Sequence, residues 1–189
     1  MAINRLTKVG YGQLELNNAA FRRDGRIEAQ CALDATAFAS VPAENGMILC
    51  VDDATRTIKL PTSANIAKYP LALNYSAEHL YESKTGLKDF KLEVTDGFYP
   101  RLGYLDIGDK FITNTVCYDT SVYATEAALK TAVEGVATTP VYAVPYEDGY
   151  WKIVASKAGS GLCCAVITGP GAGSMPDGQY GVKLQVIQL

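Results

Sequence analysis

One histidine, one tryptophan and no Cys-x-x-Cys pair occur in this chain of 189 residues. A catalytic triad or a histidine-rich metal site would have to use the single imidazole, His79. Its context, Ser76-Ala77-Glu78-His79-Leu80-Tyr81, matches neither a nucleophile elbow nor a zinc-binding helix. It reads as a surface or interface histidine. The cysteines, Cys31, Cys50, Cys117, Cys163 and Cys164, are odd in number and lack the spacing of zinc ligands. They read as small buried hydrophobes. The opening Met1-Ala2-Ile3-Asn4-Arg5 lacks the apolar core of a secretory signal, so a disulfide framework is not expected. No apolar run approaches the roughly 20 residues of a membrane span. The resulting expectations are no catalytic residue, no metal, no cofactor, no membrane partner, and synthesis in the cytoplasm.

What the chain does contain is globular in character. Hydrophobic residues make up 48% and charged residues 20%, a balance that argues against disorder. The net charge of -3 does not suit a general nucleic-acid binder, so no specific nucleic-acid partner is expected. The charge is unevenly spread. Residues 1–26 hold five basic groups, Arg5, Lys8, Arg22, Arg23 and Arg26, against Glu15 and Asp24, while the rest of the chain is acidic. A basic stretch on an acidic body reads either as an arm that docks on something acidic or as a solvated strand and turn. On the first reading residues 1–30 are an extended N-terminal arm and residues 31–189 a single β-rich domain, with the five basic residues as the contact set.

Tyr, Val, Ile and Thr recur in short runs punctuated by Gly, Pro, Asn and Asp, the pattern of many short strands. Residues 27–33 alternate as one strand. Residues 46–52 and 56–60 read as a hairpin. Residues 102–107 and 111–118 read as a second, and 141–144 with 150–154 as a third. Residues 162–167 form a central apolar strand, and 179–189 a closing one. Thr125 to Glu134 is the one convincing helix, with Thr125 as N-cap and Gly135 as stop. The periodicity of 76–88 leaves helix open. The fold class is therefore mainly β, a β-barrel or β-sandwich with one short helix at about 125–134.

Three features invite chemistry. The glycine–proline loop at 169–178 resembles a phosphate cradle, but Pro170 and Pro176 remove donors, no Gly-Lys-Ser/Thr ending follows, and a strand comes next. It reads as a flexible or interface loop. Carboxylates gather at Asp52-Asp53, at Asp106 with Asp109, and at Glu147-Asp148, where turns are expected and Asp is favoured for its own hydrogen bonding. A hydrolase using two of them is one alternative function. Tyr150-Trp151 and the turn tips suggest another, a sugar- or receptor-binding module. Twelve tyrosines suit a protein that binds protein as well as they suit plain strand propensity.

Three strings carry a resemblance: Gly10 to Gln30 (GYGQLELNNAAFRRDGRIEAQ), Leu105 to Asn114 (LDIGDKFITN) and Met175 to Ile187 (MPDGQYGVKLQVI). They resemble small virion proteins of tailed bacteriophages, of the capsid decoration (cement) or minor head kind. The resemblance implies a non-enzymatic structural protein on the virion capsid surface. Its partner would be the major capsid protein, it would often be a homo-oligomer, and it would stabilise the shell from outside. The alternatives are a neck, tail or glycan-binding module of a virion, and the hydrolase.

Overall fold

A computed structural model describes residues 2–76, 91–168, 175 and 177–189. His79, the ambiguous stretch at 77–88 and most of the glycine–proline loop lie outside the described residues. The protein is mainly β, as the short apolar runs require. Its strands are β1 (Ile3–Arg5), β2 (Leu14–Asn18), β3 (Ile27–Glu28), β4 (Ala32–Leu33), β5 (Ala43–Glu44), β6 (Ile48–Asp52), β7 (Thr57–Lys59) and β8 (Leu71–Asn74). They continue with β9 (Lys91–Leu92), β10 (Leu102–Gly103), β11 (Lys110–Thr113), β12 (Val116–Asp119), β13 (Tyr142–Pro145), β14 (Trp151–Val154), β15 (Cys163–Thr168) and β16 (Val182–Gln188). Two single-turn helices, α1 (Phe21–Asp24) and α2 (Ser63–Ile66), accompany the longer α3 (Glu126–Glu134). Thr125 caps α3 by accepting the Ala128 N–H at 3.2 Å, and Leu129 and Val133 bury its inner stripe.

Among the described residues the strands form three sheets. Eight strands run in the order β1-β12-β14-β13-β15-β16-β11-β2, six in the order β3-β10-β8-β6-β7-β4, and β5 pairs with β9. The larger sheets cannot be flat. β3 and β4 are opposite edges of the six-stranded sheet, about 24 Å apart if it were flat. Only residues 29–31 join them, and the chain from Glu28 to Ala32 spans at most about 14 Å. That sheet therefore curls back on itself. The same holds for the eight-stranded sheet, where β11 and β12 lie five strand spacings apart in the pairing order yet only Asn114 and Thr115 separate them in sequence.

Each curled sheet wraps a core. Phe111, Val116, Trp151, Ile153, Val182, Leu184 and Val186 line the first, closed by Leu129 and Val133 of α3. Leu49, Val51, Ile58, Ala72 and Leu102 line the second. β6 and β12 are the shared wall. Ile48 faces the first core and Leu49 the second, and Val116 and Tyr118 face the first while Cys117 faces the second. This explains why both strands are buried at every position instead of alternating. All five cysteines are free and buried, as expected of small apolar fillers.

Where the cores meet, a polar seam holds them in register. Thr113 Oγ1 donates to the Gln13 carbonyl at 2.8 Å, and Thr115 Oγ1 to the Asn45 carbonyl at 2.6 Å. Asn74 Nδ2 donates to the Glu44 carbonyl at 2.8 Å, and Trp151 Nε1 to the Gly46 carbonyl at 3.0 Å. Each bond satisfies a group that would cost about 1–3 kcal/mol if buried unpaired. The backbone approach is close: at Gly46, with φ of 83°, a Cβ would fall on Thr113 Oγ1.

The structure corrects three expectations. Residues 111–118 are not one strand. The chain breaks at Asn114–Thr115, whose side chains enter the polar seam, and its halves join opposite parts of the eight-stranded sheet. The hairpin of 102–107 with 111–118 does not form, because β10 pairs with β3 and β8 in the other large sheet. Residues 27–33 are likewise two short strands at opposite edges of the six-stranded sheet. Within residues 1–30, the stretch expected as an arm, short strands flank the single-turn α1. β1 and β2 are the two edges of the eight-stranded sheet, β3 is an edge of the six-stranded one, and Leu6 and Phe21 are buried between them. The hairpins β6–β7 and β13–β14 form as expected.

Candidate functional site

The five basic residues of the N-terminal stretch separate into two settings. Lys8 is buried, whereas the Arg5 side chain is 46% exposed. Lys8 Nζ pairs with the Glu44 carboxylate and lies 2.6 Å from the Tyr150 hydroxyl. Tyr150 in turn donates to Glu44 at 3.1 Å, and the Gly12 N–H reaches the same carboxylate at 2.6 Å. The side chains of Lys8 and Glu44 are 11% and 7% exposed, so this pair is a structural element and not a docking surface. Burial pushes the Lys8 ammonium below its ordinary value, against the pull of Glu44. Burial, then the Glu44 charge, pushes the Tyr150 phenol well above its own, so it stays a donor. The Arg5 guanidinium stacks 4.2 Å over the Tyr150 ring and pairs with Asp148 at 3.2 Å.

Arg22 and Arg23 are exposed on α1, and the half-buried Arg26 follows the turn at Gly25, whose left-handed φ of 71° ends the helix. Arg23 meets Asp24 at 3.0 Å, and Arg26 meets Asp106 at 3.3 Å. Exposed Ile27 and Ile107 each stand one residue from that second ion pair. β3, an edge strand of the six-stranded sheet among the described residues, completes the corner. Asp24 and Asp106 thus offset two of these arginines, and the corner offers arginine beside exposed isoleucine.

The three sequence strings that carry the phage resemblance meet at this corner. β2, β11 and β16 are consecutive neighbours in the eight-stranded sheet. Asp109 ties them, its carboxylate accepting from the Ala20 N–H at 2.8 Å and the Asp106 N–H at 2.9 Å. The Val186 N–H donates to the Asp109 carbonyl at 2.9 Å. Gln13 Nε2 reaches Asp177 at 2.9 Å. Segments up to 177 residues apart in sequence thus form one three-stranded unit.

The other candidates resolve into internal roles. Asp52 pairs with Lys59 at 2.8 Å, and that bond first, then Thr55, holds its carboxyl well below the usual range. Asp109 is a backbone tie, and Asp148 holds Arg5. Asp52, Asp109 and Asp148 thus each serve a different structural bond. Tyr150 and Trp151, offered as a sugar platform, are fully buried, with the Trp151 ring 5.4 Å from Phe111. That version of the glycan reading does not survive, because an indole that fills a core and bonds the Gly46 carbonyl cannot stack on a ligand.

Sequence reasoning missed one cluster. Glu28, Cys31 and Asp53 bring two carboxylate oxygens and a thiol within 4.8 Å of one another, where the edges of the curled six-stranded sheet approach. Glu28 Oε1 accepts the N–H groups of Gln30 and Cys31. Burial, then the Glu28 hydrogen bond, pushes the Cys31 thiol up to about 11, so it stays protonated at neutral pH. The spacing of Glu28 and Cys31 was visible, but the arrival of Asp53 depends on sheet curling. Among the described residues, no helix is long and apolar enough to cross a membrane. Comparison with protein families, with curated proteins and with solved structures finds no match.

Proposed function

We propose that this protein is a non-enzymatic virion component that binds the outside of an assembled phage head and stabilises the shell, with the major capsid protein as its partner. The observation that carries the reading is the union of the three phage-like strings. Segments scattered through the sequence converge on β2, β11, β16 and the α1–β3 corner, so the likeness covers one physical unit. That unit presents Arg22, Arg23, Ile27 and Ile107 to solvent beside the edge strand β3. Apolar anchors ringed by arginine are what a protein-binding face needs, and strand edges accept extended chain from a partner. Many copies on a repeating lattice multiply a modest single-site affinity.

The test is the copy number of this chain per major shell subunit in purified particles from its source, by quantitative mass spectrometry. A fixed ratio with hundreds of copies supports the reading. A handful of copies points to the neck or tail, and absence removes the structural role. Arg22→Glu combined with Arg23→Glu should abolish rebinding to stripped shells while leaving the circular dichroism spectrum unchanged.

A further inference from the structure

Residues 2–8 make the contacts of an added strand. β1 pairs antiparallel with β12, setting Ile3 against Asp119, Asn4 against Tyr118 and Arg5 against Cys117. The Thr120 N–H donates to the Ala2 carbonyl at 3.0 Å, and the Leu6 N–H to the Val116 carbonyl at 2.9 Å. Leu6 is 2% exposed. The Thr7 N–H reaches Glu126 at 2.9 Å. The side-chain partners of Arg5, Thr7 and Lys8 lie 36 to 143 residues away in sequence.

The groove that receives this strand is acidic and matched to it in charge. Glu44, Asp119, Glu126 and Asp148 line it. Lys130 pairs with Glu126 at 2.6 Å and Lys152 with Asp119 at 3.7 Å. Two carboxylates, Glu44 and Asp148, remain for the two cations of the strand, Lys8 and Arg5. The link to β2 runs through exposed Val9 and through Gly10, whose φ of 76° is open to glycine at little cost. Gln179 clips this hinge, accepting the Val9 N–H at 2.6 Å and donating to the Val9 carbonyl at 3.1 Å.

We propose that residues 2–8 are an exchangeable strand, and that the acidic groove along β12 takes the N-terminal strand of a second copy of this chain. Exchange reproduces the strand pairing and side-chain contacts of residues 2–8 between copies and changes the path of the Val9–Gly10 hinge with its Gln179 bonds, the low-cost route to a homo-oligomer. The occupant is set by charge complementarity: a short basic strand with apolar contacts at Ile3 and Leu6, which is residues 2–8 of this same chain. The inference concerns self-assembly and holds or fails whether or not the chain binds a capsid.

The test uses the full chain carrying Arg5→Cys. Residues 5 and 117 face each other across the strand pair, within disulfide reach. After incubation at raised protein concentration and mild oxidation, exchange yields a two-chain species. Its peptide map joins the introduced thiol to Cys117 of the other copy, and its fraction rises with concentration. An intrachain link alone, at every concentration, overturns the proposal. Should Arg5→Cys not fold, deletion of Val9 and Gly10 decides the matter by sedimentation. A hinge too short to fold back shifts the chain from one-copy to two-copy mass, whereas a folded monomer overturns the proposal.

Discussion

Lys8 and Arg23 belong to the same basic stretch of sequence, yet the fold treats them in opposite ways. Lys8 is buried in a bond with Glu44 and Tyr150, whereas the Arg23 side chain is 80% exposed and meets only its neighbour Asp24 among the ion pairs described. The difference lies in what each chain segment crosses. Residues 3–8 run along β12 and over the mouth of the second core, where an amine meets a buried carboxylate. Residues 21–26 turn at the protein surface, with Phe21 alone directed inward. A like-charged run is thus no guide to a common role, because pairing depends on carboxylates supplied from elsewhere.

The strongest way to break this comparison is Lys8→Ala. It leaves the Glu44 charge buried without its cation and should cost about 3–5 kcal/mol. Urea unfolding reads the loss directly. Next, Gly103→Ala should destabilise by about 1–3 kcal/mol, because the added Cβ falls on the Phe21 ring, which has no space to retreat. Differential scanning calorimetry would show a lowered Tm, and a Phe21→Leu background should recover part of it.

Acid sharpens the comparison on the Arg5–Lys8 side. Glu126 loses some of its advantage to burial, but hydrogen bonds from Lys130 and Thr7 hold its carboxyl below the ordinary value. A carboxyl depressed in the folded state stabilises above its unfolded pKa, near 4.3, and that contribution fades as pH falls through the folded value. Glu126→Gln should therefore cost about 1 kcal/mol at pH 7 and progressively less below pH 4. Thermal unfolding of both chains across that range checks the convergence. The smallest effect is expected at Arg23→Ala, within about 0.5 kcal/mol, since an exposed ion pair adds little to stability. Under the proposed function, its effect falls on shell binding instead.

The elements that local chemistry dictates were legible in the sequence. Thr125 and Gly135 bracket the longest helix as capping rules require, and Asp52 to Thr57 turns a hairpin. The alternation of Val182, Leu184 and Val186 marks a strand with one buried face. Less legible was the break at Asn114–Thr115, since a run of strand formers gives no sign that its polar residues will join two cores. Arg56 shows the same limit on a smaller scale. It holds a left-handed φ of 53° that a sequence reader would assign to glycine, and its carbonyl accepts the Ala32 N–H that starts β4.

By itself the sequence determined a β-rich chain of short strands, one capped helix, buried thiols and a basic beginning. All of these follow from periodicity, capping and turn chemistry within a few residues. Only the tertiary structure decided which charges are buried, how residues 10–30, 105–114 and 175–187 come side by side, and how Glu28, Cys31 and Asp53 come together. Those depend on two sheets curling back on themselves, a result of long-range strand pairing that no local window contains.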